Sequence, residues 1–256
     1  MTDKFLSPTP ILDFNAAPIQ NLIAARDWLS LSQTDRIGAA YDFVRNEILF
    51  GYNARDALSA SRILADGYGQ CNTKATLLMA LLRALGVPCR FHGFTIDKSL
   101  QRGVVPEFAY PLTPQDILHS WVEVYHDGEW LNLEGFILDA QVVAALQKAF
   151  PTRNTLCAYG AGTDHLQNPD VDWRGASTYI QKTGINQDFG VFDNPDDFYA
   201  DHVQLTELRG LYFRNVVRHV MNRRLAKMRT GHVPVIPGGD QNLAPSQPFL
   251  NKLEAI

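Results

Sequence analysis

Cysteine is scarce in this sequence. Cys71, Cys89 and Cys157 are the only three in 256 residues. They are too few and too scattered for a disulfide framework, so reduced thiols are expected. No run approaches ~18 consecutive apolar residues, which argues against a membrane span. The start, Met1-Thr2-Asp3-Lys4-Phe5, has no apolar run behind a basic region and does not read as a secretory leader. A soluble, cytoplasmic protein is the expectation from these absences. Positive charge is not in excess either: the net charge of -4 argues against general nucleic-acid affinity. There is no internal repeat. What is present is 46% hydrophobic and 20% charged residues, enough for a sizeable core. The length suits one large domain or two small ones at about 150 residues each.

One stretch organises the rest. Gly67-Tyr68-Gly69-Gln70-Cys71 leads into Leu77, Leu78, Leu81, Leu82 and Leu85, which fall at helical intervals. Gly86 and Pro88 stop that helix. Cys71 therefore lies at the helix's N-terminal end, where unpaired N–H groups and the helix dipole favour a thiolate and could hold an oxyanion. Gly67 and Gly69, without Cβ atoms, leave room for a substrate backbone. Set against this, a lone cysteine is commonly a small buried hydrophobe.

Upstream, residues 1–14 read as an extended arm, and a helix is predicted from Pro18 to Leu31. Ser32-Gln33-Thr34-Asp35 resembles a capping box and opens a second helix through Ile48. Ala57–Leu64 is a short helix or turn. Downstream, Val87–Ile96 is a predicted strand, and residues 97–116, with Gly103, Pro106, Pro111 and Pro114, form a long loop. Leu118–Tyr125 and Glu129–Glu134 flank Asp127-Gly128, the best hairpin signal in the chain. Asp139–Phe150 is a further helix. Pro151–Gln187 is polar and glycine-rich, residues from about 195 to 229 are helical, and the tail from His232 is irregular. The division expected is a core over residues 1–150 and an extension over 151–256 packed on it.

If Asp127-Gly128 is a two-residue turn, His126 faces Glu129, and counting outward puts Trp121 opposite Glu134 and His119 opposite Phe136. Opposed residues share a sheet face, as do alternate residues on one strand. His119 and Glu134 are then diagonal neighbours. A carboxylate holds a histidine in one tautomer, and such a pair beside Cys71 makes an activated thiolate with its general acid.

Gly67-Tyr68-Gly69-Gln70-Cys71, the helix ending Leu82-Arg83-Ala84-Leu85-Gly86-Val87-Pro88-Cys89-Arg90, His119-Ser120-Trp121-Val122-Glu123-Val124-Tyr125 and Gly128-Glu129-Trp130 together resemble the transglutaminase-like superfamily. Val44–Tyr52 fits the same pattern. The resemblance covers roughly residues 36–136 and rests on several separated motifs in order. It implies a papain-like α+β core with the nucleophile helix packed on an antiparallel sheet, here with extra helices at both ends. It also implies a Cys-His-Asp triad: Cys71 as nucleophile, His119 as base and acid, and Glu134 where the family has aspartate. Asn132 is a weaker candidate for the third role, and Asp139 lies too far along the chain. For the second oxyanion donor or substrate contacts, Gln70, Tyr52, Tyr68 and Trp121 stay open, with the Cys71 backbone N–H as first donor. The implied reaction is cysteine-dependent acyl transfer on a peptide or amide, with hydrolysis favoured, amine transfer as an alternative and a non-catalytic binding module as the rival. Peptide N-glycanases share the His-x-Trp-x-Glu-Val strand but carry Cys-x-x-Cys zinc pairs absent here. Arylamine N-acetyltransferases fit the context of Trp121 and Trp130 less well.

No cofactor and no metal are expected. His92 and His126 have no metal spacing, and Asp164, Asp170 and Asp172 lack the alternation of a Ca²⁺ loop. Cys89 and Cys157 read as structural. The basic segment with Arg209, Arg214, Arg218, Arg223, Arg224, Lys227 and Arg229 reads as a solvated face, or as a partner for Asp188, Asp193, Asp196, Asp197, Asp201 and Glu207. A second copy of the chain stays open as a partner.

Overall fold

The computed structural model describes residues 3–204, 207–239 and 243. In chain order, α1 is Ala17–Ala25, α2 Gln33–Asn46, β1 Leu49–Phe50, α3 Ala60–Asp66, β2 Tyr68–Gly69 and α4 Cys71–Ala84. β3 is Cys89–Asp97, β4 Asp116–His126, β5 Glu129–Leu133, α5 Ala140–Ala149, β6 Leu156–Ala158 and β7 Ala161–Thr163. β8 is Ile185–Phe192, α6 Pro195–Asp201, α7 Glu207–Tyr212 and α8 Arg218–Arg229, with a π-helical turn at Phe213–Val217 before α8. The class is α+β: a four-stranded antiparallel sheet in the order β5-β4-β3-β8, with α4 packed against it and helices added at both ends.

The core is built around α4, in which every residue from Cys71 to Arg83 is buried. A helix covered all round belongs inside a fold rather than on its surface. Even Lys74 is enclosed, donating to the carbonyls of Arg45 (3.2 Å) and Ile137 (2.9 Å). Burial drives its amine well below the usual lysine range.

Several expectations need correction. The first helix ends at Ala25 rather than Leu31, because Asp27 takes a left-handed conformation (φ 51°) and a separate 3₁₀ turn follows over Trp28–Ser30. Ser32 caps α2 by accepting from the Asp35 N–H (3.2 Å), while the Asp35 carboxylate accepts a hydrogen bond from the Ser32 hydroxyl (2.6 Å) instead of reaching back to the backbone. The stretch 151–187 contains the hairpin β6–β7 and the start of β8, which pairs with β3. Among the described residues, no ion pair joins the acidic side chains of residues 188–201 to the basic helix. Among the described residues, Asp188 bonds His92, Asp193 pairs with Lys4 and Asp196 accepts from the Ile11 N–H. The side chain of Glu207 and prolines 245 and 248 of the tail lie outside what is described.

α8 is tied to the core at Arg229, which pairs with Asp139 (2.6 Å) and donates to the Phe50 carbonyl (2.6 Å). Asp139 also caps α5. Burial opposes its charge, but the Arg229 guanidinium, with the Phe50 and Val142 amides, holds the carboxyl below the ordinary aspartate range. A depressed carboxylate contributes stability that is present above its unfolded pKa and lost as pH falls through the folded value. Arg229→Ala should therefore destabilise the protein by roughly 3 kcal/mol at pH 7, since it strands a buried charge. Urea titrations at pH 7 and below pH 4 check this: the gap to wild type should narrow in acid.

Candidate active site

The reactive end of α4 is fixed by a mesh of side chains. The Gln70 N–H donates to Thr73 Oγ1 (3.0 Å), the Gln70 amide oxygen accepts from the Asn53 N–H (2.8 Å), and its Nε2 donates to Asp56 (2.8 Å). Cys71 is then the first helical residue. The flanking glycines also shape the loop itself. Gly67 closes α3 in a left-handed conformation (φ 70°), and a Cβ on Gly69 would sit 2.6 Å from Thr73 Oγ1.

Asn72 joins this helix end to the sheet. Its Nδ2 donates to the Leu118 carbonyl (3.1 Å), and its Oδ1 accepts from the Ser120 hydroxyl (2.9 Å). These two contacts bracket residue 119, so Cys71 is held against the part of β4 that carries His119.

The hairpin has the register counted from the sequence: His126 pairs with Glu129 and the ladder continues to Val122 with Leu133. Asp127 and Gly128 both have positive φ (48° and 92°), as a tight hairpin turn requires. Past Leu133 the partner changes, and the Glu134 N–H donates to the Thr178 carbonyl (3.0 Å). One residue beyond the ladder, Glu134 is diagonal to His119, and its Oε1 meets His119 Nε2 at 2.8 Å with both residues fully buried. The other oxygen, Oε2, accepts from the backbone N–H groups of Ile180 and Gln181, both at 2.8 Å. Those two donors lie far from the motif residues and have no side-chain signature.

His119 Nδ1 is buried with no hydrogen-bond partner, so it makes no hydrogen bond to the thiol in this arrangement. Cys71 itself is only 8% exposed. Burial pushes its thiol well above the ordinary cysteine range, Asp56 adds to that, and the backbone N–H groups of Asn72 and Ser120 pull the other way, with Glu134 raising it further. The expectation that the helix end lowers this thiol pKa is thus corrected, because desolvation outweighs the amides.

The candidate contact residues separate. Tyr52 lies near the thiol, which adds to the burial that raises its phenol, but its proton goes to Gln101 Oε1. Gln70 is engaged at both ends of its amide, as given above. Trp121 packs tilted against Phe94 (ring centroids 4.1 Å apart), and its buried Nε1 has no partner. Tyr68 instead lines a cavity of about 350 Å³ with Arg218, His219 and Asn222, its hydroxyl 3.5 Å from Arg218. Asn132 donates to the Tyr179 hydroxyl (2.8 Å). His92 sits between Glu123 (2.5 Å) and Asp188 (2.8 Å), and Asp172 pairs with Arg45 (2.6 Å). Burial lifts the Cys89 and Cys157 thiols to about 11.

The arrangement offers a thiol at a helix start, an imidazole with one free nitrogen, and a fixed carboxylate. Residues 27–135 match the sequence profile of the transglutaminase-like superfamily. No curated protein matches the chain. Among solved structures, a candidate cysteine protease from Cytophaga hutchinsonii is similar at 17% identity and a TM-score of 0.42, over 75% of this chain and 47% of that one. The present chain thus spans about half the length of that protein. No helix among the described residues is long and apolar enough to cross a membrane.

Proposed function

With residues 27–135 belonging to the transglutaminase-like superfamily, we propose that this protein carries out cysteine-dependent acyl transfer on a peptide or amide, with water as acceptor. Cys71 attacks the amide carbonyl while His119 Nδ1 takes the thiol proton. The tetrahedral intermediate collapses, His119 returns the proton to the leaving amine, and a thioester remains. Water, deprotonated by the same nitrogen, then releases the acid and restores the thiol. Glu134 keeps the imidazole proton on Nε2, leaving the Nδ1 lone pair for the sulfur's proton. The first oxyanion donor is the Cys71 N–H at the start of α4.

The observation that supports this reading is the His119–Glu134 pair, with Nδ1 unpartnered, on the strand whose residues 118 and 120 are contacted by Asn72, the neighbour of Cys71. Two measurements test it. In iodoacetamide labelling, Cys71 should react ahead of Cys89 and Cys157, which have no exposure. With a digest of bulk protein and a fluorescent primary amine, free ammonia or new amino termini should appear without label on the peptides. Label on the peptides would make the acceptor an amine. A Cys71 no more reactive than the other two thiols, in a protein without turnover, would leave only a binding module.

A further inference from the structure

Resting on the acyl-transfer reading above, we propose that the cavity beside Tyr68 is a subsite for a carboxylate of the substrate, with the Arg218 guanidinium as its binding group. The cavity holds about 350 Å³, room for an acidic side chain or a chain end. One wall comes from the superfamily segment, at Leu49 and Tyr68, and the other from α8, outside it. The walls meet closely because Gly51 has no side chain. A Cβ there would stand 3.1 Å from the Tyr68 ring and 3.2 Å from Asn222 Oδ1. Asn222 seats α8 by accepting from the Tyr52 N–H (2.7 Å) and donating to the Tyr52 carbonyl (3.1 Å). The π-helical turn over Phe213–Val217 ends directly before Arg218. Such turns are rare and recur at functional sites.

Two routes tie this cavity to the thiol. Tyr68 stands three residues before Cys71, so chain length alone keeps their Cα atoms within about 11 Å. The Tyr52 segment that seats α8 continues to Asn53, whose N–H donates to Oε1 of Gln70 (2.8 Å), the residue next to Cys71. A peptide with its amide at the sulfur reaches Tyr68 in about three extended residues. The charge at the cavity has one sign. Among the described residues, no Asp or Glu lines it. Arg229 is already taken up by Asp139 and the Phe50 carbonyl. Arg218 is not. Its Nε donates to the Arg214 carbonyl (2.6 Å) and its Nη1 stands 3.5 Å from the Tyr68 hydroxyl, both neutral partners. It is half-buried at the cavity with no carboxylate beside it among the described residues, and the exposed His219 follows it. A planar guanidinium holds a carboxylate through paired N–H bonds. Leu49, Phe50 and the Tyr68 ring supply apolar surface for the methylenes that carry such a group.

The test uses the full chain as Cys71→Ala, so that binding is read without turnover. Alanine pentapeptides serve as probes: one end-blocked with a central glutamate, one end-blocked with a central glutamine, and one blocked only at its amino end, with a free C-terminal carboxylate. In calorimetric titrations at low salt the glutamate peptide should bind about tenfold or more tightly than the glutamine peptide, the scale of a charge-assisted pair. Arg218→Gln in the same background should erase that difference, and Arg218→Lys should keep part of it. Melting curves establish that both variants are folded. Tightest binding of the free C-terminus, lost in Arg218→Gln, would make the carboxylate a chain end rather than a side chain. Equal affinity for all three peptides, or a carboxylate preference that survives Arg218→Gln, would overturn the site. The two levels separate. Carboxylate-selective binding with no turnover by the wild-type protein sinks the acyl-transfer reading and leaves the site, whereas turnover without that selectivity sinks the site alone.

Discussion

Cys71→Ala removes turnover, with an expected loss in kcat on the order of 10⁵–10⁶, the scale seen when a serine hydrolase loses its nucleophile. The sulfur is the only atom in the cluster that can form the covalent intermediate. In the proposed mechanism His119 without it has no thiol to deprotonate, and no acyl group is held for water to attack. The fold should survive, since one heavy atom leaves a helix whose other residues through Arg83 are all buried, at a cost of about 1 kcal/mol. Circular dichroism and a melting curve establish the fold, and the digest assay establishes the activity. Turnover in Cys71→Ala at even one part in a hundred of wild type would place the chemistry elsewhere.

Glu134→Gln should cost about 10⁴-fold in kcat, with KM little changed, and the reason is the tautomer. The Ile180 and Gln181 amides both donate to Oε2, so a glutamine must turn its carbonyl oxygen to them. Its NH₂ then points at His119 Nε2, where the carboxylate had accepted a proton. The imidazole must accept there, which moves its proton to Nδ1, and the lone pair meant for the thiol is gone. The magnitude follows the aspartate-to-asparagine change in a serine protease, where the same tautomer inversion was measured. Glu134→Asp is the informative partner variant. Aspartate is the superfamily's usual residue here, yet its shorter side chain cannot reach the imidazole while keeping both amides, so activity should fall rather than rise. Glu134→Ala leaves two amides and an imidazole nitrogen without an acceptor, and should destabilise by about 1–3 kcal/mol for each group left bare. Stopped-flow acylation rates across pH, beside urea titrations, check all three. A Glu134→Gln enzyme within tenfold of wild type would show that the carboxylate does not orient the base.

The legible part of this site was the part encoded by local pattern. Asp127-Gly128 fixes a two-residue turn, the turn fixes the register, and the register puts His119 diagonal to Glu134. The start of α4 was readable because Gly86 and the leucine spacing bound the helix on both sides. β8 was not, since Ile185-Asn186-Gln187-Asp188-Phe189-Gly190 mixes polar residues and a glycine into a strand at the sheet's margin, where burial does not enforce alternation. The clamp on Glu134 left no trace because it is made of main-chain N–H groups, which any residue supplies. The thiol's raised pKa was missed for a related reason. The helix dipole is visible in sequence, whereas the burial that outweighs it, and the Asp56 charge that adds to it, depend on parts of the chain brought in by the fold.

β8 completes the sheet from near residue 190, and the carboxylate is aimed by main chain at residues 180–181. During ribosomal synthesis the proposed nucleophile, Cys71, and its proposed base, His119, emerge long before these parts do. On the proposed mechanism a nascent chain therefore carries a thiol and an imidazole with no fixed geometry between them, and reactivity would arrive late, when the last strand docks.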